Sequence, residues 1–246
     1  MRLRPDPRYG ELVVRGFLVV LLVVSLGMLG GVILLRGEMP AAYNGISNAT
    51  QLVASTVAAG AAAWAYHRRT HALFLAHGAF AGATWTLANA FWFAYFVLIG
   101  EGLNYPTVAD LGFVGVFLFL ISAYREGMAR SHLPAWYMAP LLVLLPLVGV
   151  EPILLLGVNA KTLTTLIVFV LAAVLISELL LRSGYRHPAL FAATVAFVLA
   201  HLFNALDSTI PDLPWVAGVE AVGALAILAF SLFGLAFLGY TKEGAV

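Results

Sequence analysis

The chain has 246 residues, of which 62% are hydrophobic and 10% charged, with a formal net charge of +1 and no cysteine. Soluble domains average about 45–50% apolar and about 25% charged, and a soluble surface could not cover this much apolar side chain. A soluble enzyme, a disordered chain and a nucleic-acid binder, which needs a basic face, are excluded. So are disulfides, thiolate metal sites and cysteine nucleophiles.

A bilayer core about 30 Å thick takes roughly 20 apolar residues as helix. Eight stretches of that kind follow one another, at 16–35, 44–66, 72–99, 107–124, 134–150, 162–182, 188–206 and 215–240. The first lacks a clear small-x-small cleavage site and reads as a span rather than a signal peptide. The third and eighth are long enough to tilt. The fourth and fifth are short, and Pro140 and Pro146 in the fifth predict a kink or a partly re-entrant path. No linker, repeat or low-complexity tract interrupts the series. The expected fold is all-α, one membrane domain over 1–246 made of eight transmembrane helices. The sequence stops shortly after the last stretch, so no soluble effector domain is expected.

Loop charges orient the bundle. Eleven of the 13 Lys and Arg residues fall before the first stretch, in or at the edge of alternate loops, or after the last, and only Arg36 and Lys161 fall on the other side. This asymmetry predicts an even number of spans with both termini in the cytoplasm of a cell membrane. Trp64, Trp136 and Trp215 fall near span ends, where an aromatic belt belongs.

Ionisable groups inside a span are costly and are therefore functional candidates. With about 1.5 Å of rise per residue, Gln51, Asn89, Asp110, His201, Asn204 and Glu220 all come to the outer third of the bilayer, from five different spans. A bundle could gather them into one outward-facing cavity. On the third span Gly78, Gly82, Trp85, Asn89 and Trp92 recur at steps of four and three and form one stripe. Its lower end is Gly-x-x-x-Gly, which lets another helix approach closely. Its upper end, with Trp85 and Trp92 around Asn89, suits either a pocket wall or a packed interface. At the cytoplasmic side, Glu178 and Arg182 are spaced as an ordinary helix-surface ion pair. His67, His71 and His77 beside Arg68 and Arg69 read as a headgroup-facing loop.

No Gly-x-Ser-x-Gly elbow, His-Glu-x-x-His pair or Walker loop occurs. No lysine in a late span offers a Schiff-base attachment point. No catalytic residue or metal ligand is assigned, and nothing in the sequence names a cofactor.

The segment 72–124 carries Trp85-x-x-x-Asn89-x-x-Trp92 and then Tyr105-Pro106-Thr107-Val108-Ala109-Asp110. It resembles the multi-span amino-terminal sensory modules of some archaeal and bacterial histidine kinases and diguanylate cyclases, whose outer loop ends in Tyr-Pro-Ser-x-Ala-Asp. Threonine stands here where serine is usual. The resemblance implies a membrane sensor that passes its output to a protein partner. The residues also have a local reading: Thr107 and Asp110 are spaced as a helix capping box. A weaker resemblance, of Glu178-x-x-x-Arg182 and Phe197-x-x-x-His201 to fragments of the CAAX-processing intramembrane protease motifs, lacks the first glutamate and the last histidine of that family.

The leading expectation is a non-enzymatic, receptor-like membrane protein. It would bind a small molecule, lipid or proton through Asp110, Glu220, His201, Asn204, Asn89 and Gln51, with Trp85 and Trp92 as an apolar wall. The alternatives are a small transporter, an accessory subunit of a membrane complex, and an intramembrane enzyme on a lipid or membrane substrate. The expected partners are the lipid bilayer, a small-molecule ligand and a protein carrying signal output, with no nucleic acid.

Overall fold

A computed structural model describes residues 7–35, 42–99, 106–182, 187–209 and 218–240. Eight long helices follow in order: α1 (Pro7–Leu34), α2 (Tyr43–Ala65), α3 (Leu73–Ile99), α4 (Val108–Gly127), α5 (Ala139–Leu156), α6 (Ala160–Leu181), α7 (Pro188–Thr209) and α8 (Gly218–Gly239). Among the described residues there is no strand. Seven of these helices are long and apolar enough to cross a membrane. The eighth, α2, matches them in length at 23 residues but is rich in alanine, glycine, serine and threonine.

Local chemistry explains several boundaries. The side chain of Thr107 accepts from the N–H of Ala109 at 3.1 Å, and the Asp110 carboxylate accepts from the N–H of Thr107. This is the capping box that the sequence spacing predicts. Asn159 and Thr162 cap α6 reciprocally, at 3.1 and 3.0 Å. Helix α5 runs past its expected end. It is one continuous helix that runs through Pro146 and Pro152 to Leu156, six residues past the expected end at 150. Proline is tolerated in membrane helices where neighbours and local adjustment satisfy the freed carbonyls. Pro140 sits in the first turn, where its missing N–H costs nothing. Gly157 ends the helix at φ +75°, a conformation open to glycine. Helices α1 and α4 also outrun their expected spans, beginning at Pro7 and ending at Gly127.

Six helices close on themselves in the order α2, α3, α4, α6, α7, α8, with α8 returning to α2. Helix α1 lies outside this ring against α8, and α5 outside it against α6. The most apolar stretch of α8 is 72% buried and that of α5 only 11%, so α8 is a central element and α5 a peripheral one. The low hydropathy of α2 fits its place in the ring, since Ser47, Gln51 and Ser55 face protein rather than the surroundings.

Three long-range bonds gather helix ends. Arg15 donates to the carbonyl of Leu238 at 2.9 Å, Tyr240 to that of Gly127 at 3.3 Å, and the Ser131 N–H to that of Leu181 at 2.6 Å. The start of α1 and the ends of α4, α6 and α8 therefore share one end of the bundle. At this end Arg125 of α4 meets Glu178 of α6 at 2.7 Å, and the expected Glu178–Arg182 pair is present but longer, at 3.5 Å. Glu178 is thus an interhelical anchor as well as a helix-surface partner. His67 and His71 stand edge-on to Tyr66, with ring centroids 5.3 and 5.2 Å away, whereas His77 lies apart beside Glu126 at 3.5 Å.

Hydroxyl pairs tie helices to one another. Tyr124 and Thr194 join α4 to α7 at 2.6 Å, and Ser55 and Thr86 join α2 to α3 at 2.9 Å. Thr165 of α6 meets Thr209 of α7 at 2.6 Å, and both are buried. Membrane helix–helix hydrogen bonds average about 0.6 kcal/mol and reach about 1.7 kcal/mol. Thr165→Val, close in shape, should therefore cost about 1 kcal/mol in a reversible detergent-unfolding titration. A loss above about 3 kcal/mol would mean that Thr165 does more than bridge two helices.

Candidate functional site

The interior of the ring is aromatic. Trp85 of α3 lies 4.6 Å from Phe113 of α4, 5.0 Å from Phe230 of α8 and 5.1 Å from His201 of α7, between ring centroids. Phe117 and Phe197 close on the same histidine at 4.8 and 4.2 Å. These packed rings fill the axis of the bundle at this level.

Beside them is a small cavity of about 20 Å³, room for about one water-sized molecule. Helix α4 lines it with Asp110, Phe113, Val114 and Phe117, α6 with Thr164 and Val168, and α7 with His201, Asn204 and Ala205. Each set recurs at steps of three and four, so each is one face of its helix. The capping box fixes Asp110: its Oδ2 takes both the N–H and, at 3.0 Å, the hydroxyl of Thr107.

His201 is buried, with 6% of its surface exposed. Its Nδ1 lies 2.9 Å from the carbonyl oxygen of Phe197, one turn back. A carbonyl only accepts, so Nδ1 carries the hydrogen, and in the neutral ring Nε2 offers a lone pair. That Nε2 is buried and has no hydrogen-bond partner. Buried polar atoms are nearly always paired, so a bare ring nitrogen beside a water-sized cavity marks a place for a donor. The indole N–H of Trp85 is likewise buried and unpartnered.

The structure divides the residues that depth alone groups together. Asp110, His201 and Asn204 line one cavity, with Trp85 against the histidine. Gln51 and Asn89 are bonded elsewhere, Gln51 within α2 and against Gly223 of α8, Asn89 across from α3 to α2. Gln51 donates to Ser47 and Asn48 at 3.4 and 3.3 Å, and Asn89 donates to the carbonyl of Asn48 at 3.4 Å. Both are buried there, as packing predicts for one of the two readings of the third-span stripe. Trp92 is half-buried further along α3 and does not line the cavity. Glu220 lies in the first turn of α8, and its side chain falls outside the described residues, as do Tyr105 and Trp215. Thr164, Phe113 and Phe117 line the cavity without standing out in the sequence. The aromatic pair was findable, at three and seven residues after Asp110. Thr164 carried no signal, because its hydroxyl bonds its own helix at Ala160, 2.8 Å away, as threonines in apolar helices commonly do.

The chain matches no protein-family model, no curated protein and no solved structure. Its site is therefore read from its own chemistry.

Proposed function

We propose that this is a receptor-like protein of the cell membrane, with eight spans and both termini in the cytoplasm, that takes a small polar ligand from the outer side into the cavity between α4, α6 and α7. The observation that carries this reading is the buried, unpartnered Nε2 of His201, a residue that lines the same cavity as Asp110 and Asn204. Sites of this kind are mostly apolar, with a few polar groups that fix the ligand. The charge asymmetry of the loops supports the orientation, and it puts the Asp110 end of α4 outside. The resemblance of 72–124 to kinase and cyclase sensory modules supports a sensing role, with output through a partner protein.

Native mass spectrometry of the detergent-purified chain, with an absorption spectrum of the same sample, tests the reading. The expected result is a small molecule retained at fixed stoichiometry, lost in Asp110→Asn with the fold intact. Asparagine keeps a carbonyl oxygen for the Thr107 N–H and removes the charge. A molecule retained equally by the variant would place the ligand elsewhere.

A further inference from the structure

The cavity has a definite donor–acceptor character, and this defines the class of ligand. Three of the residues that line it carry acceptors. Nε2 of His201 offers a lone pair, because Nδ1 is committed to the Phe197 carbonyl at 2.9 Å. Asp110 has an oxygen to spare, because Thr107 occupies only Oδ2. The hydroxyl of Thr164 has spent its hydrogen on the Ala160 carbonyl and can only accept. Asn204 adds an amide that can turn its oxygen inward. No ion pair to Asp110 forms among the described residues, so the site carries a carboxylate with no cation of its own. Phe113 and Phe117 complete the wall, and aromatic rings attract a cation within about 6 Å.

A water-sized volume, an excess of acceptors, an unbalanced negative charge and aromatic walls together describe a receptacle for a small cation that donates hydrogen bonds. We propose that the cavity binds one ammonium ion, held by Asp110 and His201 and walled by Phe113 and Phe117. This rests on the receptor reading above and names its ligand class. Ammonium donates four hydrogen bonds from a body the size of water. Potassium, of similar size and charge, donates none, and it gains little from a neutral imidazole nitrogen because hard cations prefer oxygen. A neutral water would satisfy Nε2 and leave the carboxylate charge unbalanced.

The test is thermal unfolding of the full chain in detergent at constant pH and ionic strength, titrated with ammonium chloride or potassium chloride. A ligand that binds only the folded state raises the midpoint in a saturable way. The expected result is a saturable rise with ammonium and none with potassium. The apparent Kd should weaken at least tenfold in Asp110→Asn and in His201→Gln. Asn204→Ala, at a half-buried position, keeps the test open if either of those variants fails to fold, and should weaken binding at least threefold. An equal rise with potassium, or an unchanged ammonium response in the variants, overturns the assignment. Native mass spectrometry on the same preparations separates the two levels. A different small molecule retained by the wild type and lost in Asp110→Asn, with no ammonium response, overturns ammonium and leaves the receptor reading standing. Neither an ammonium response nor a retained molecule overturns both.

Discussion

Gly82→Leu should abolish the folded bundle, and Gly82→Ala should weaken it by about 1–3 kcal/mol, the usual range for overpacking. A Cβ at Gly82 would meet the Ala59 Cβ at 2.9 Å and the Ala59 backbone nitrogen at 3.0 Å. The obstacle is the backbone of α2, which cannot rotate away as a side chain can, so α2 and α3 would have to separate. That separation would break the Ser55–Thr86 bond at 2.9 Å and the Asn89 bond to Asn48 at 3.4 Å. In a bilayer, helix association rests on close packing and interhelical hydrogen bonds rather than on expulsion of water, so both stabilising terms are lost together. Gly60, one residue along α2 from Ala59, is the control. A methyl group added there would have nothing within 4 Å, and alanine is the better helix former by about 0.5–1 kcal/mol. Gly60→Ala should therefore be neutral or stabilising. Detergent-unfolding midpoints of the three variants decide the matter, and a Gly82→Leu variant that unfolds like wild type would refute the close approach of α2 and α3.

Trp85→Ala should cost about 3 kcal/mol and be the most damaging single truncation in the ring. Large aromatic-to-alanine changes in packed cores cost about 3–5 kcal/mol. The lower end applies here because lipid is as apolar as the protein interior, and the transfer part of that cost shrinks. What remains is the lost contact with Phe113, Phe230, His201 and Phe197, at centroid distances of 4.6, 5.0, 5.1 and 5.9 Å. These four partners lie on α4, α7 and α8, so one side chain keys α3 to three neighbours. Trp85→Phe should cost less than half as much. It keeps a ring in place, and the indole N–H that it removes has no partner. Equilibrium unfolding of both variants checks the order. If the phenylalanine variant were as weak as the alanine one, the N–H would have a partner of its own, such as a bound water.

The two substitutions differ in how far the sequence announces them. The Gly78–Gly82 spacing on α3 is visible in the chain, and it does mark close approach. But the two glycines serve different neighbours. A Cβ at Gly78 would lie 2.6 Å from the ring of Phe237 on α8, while Gly82 opposes Ala59 of α2. The stripe through Trp85 and Asn89 is equally visible. What it could not reveal is that Trp85 turns to His201 while Asn89, one turn on, is taken up by the Asn48 carbonyl. Each residue sits near the same depth, and depth is all that helix rise provides. Helix α5 shows the same gap from the other side. Its prolines predict a kink or a partly re-entrant path, and the helix is continuous through Pro146 and Pro152, because a missing N–H need not end a membrane helix.

The sequence by itself determined the membrane character, the helical class, the approximate extent of the long apolar helices and the Thr107–Asp110 cap. All of these follow from composition, from runs of apolar residues or from interactions spanning three or four positions. Only the tertiary structure decided that six helices close in a ring with α1 and α5 outside it. It alone brought Asp110, His201 and Asn204 to one cavity and bonded Gln51 and Asn89 elsewhere, one within α2 and the other from α3 to α2. The physical reason is that lipid-facing and protein-facing surfaces of a membrane helix are equally apolar. Adjacency is set instead by where small residues, hydroxyl pairs and ring edges fit against one another across the bundle.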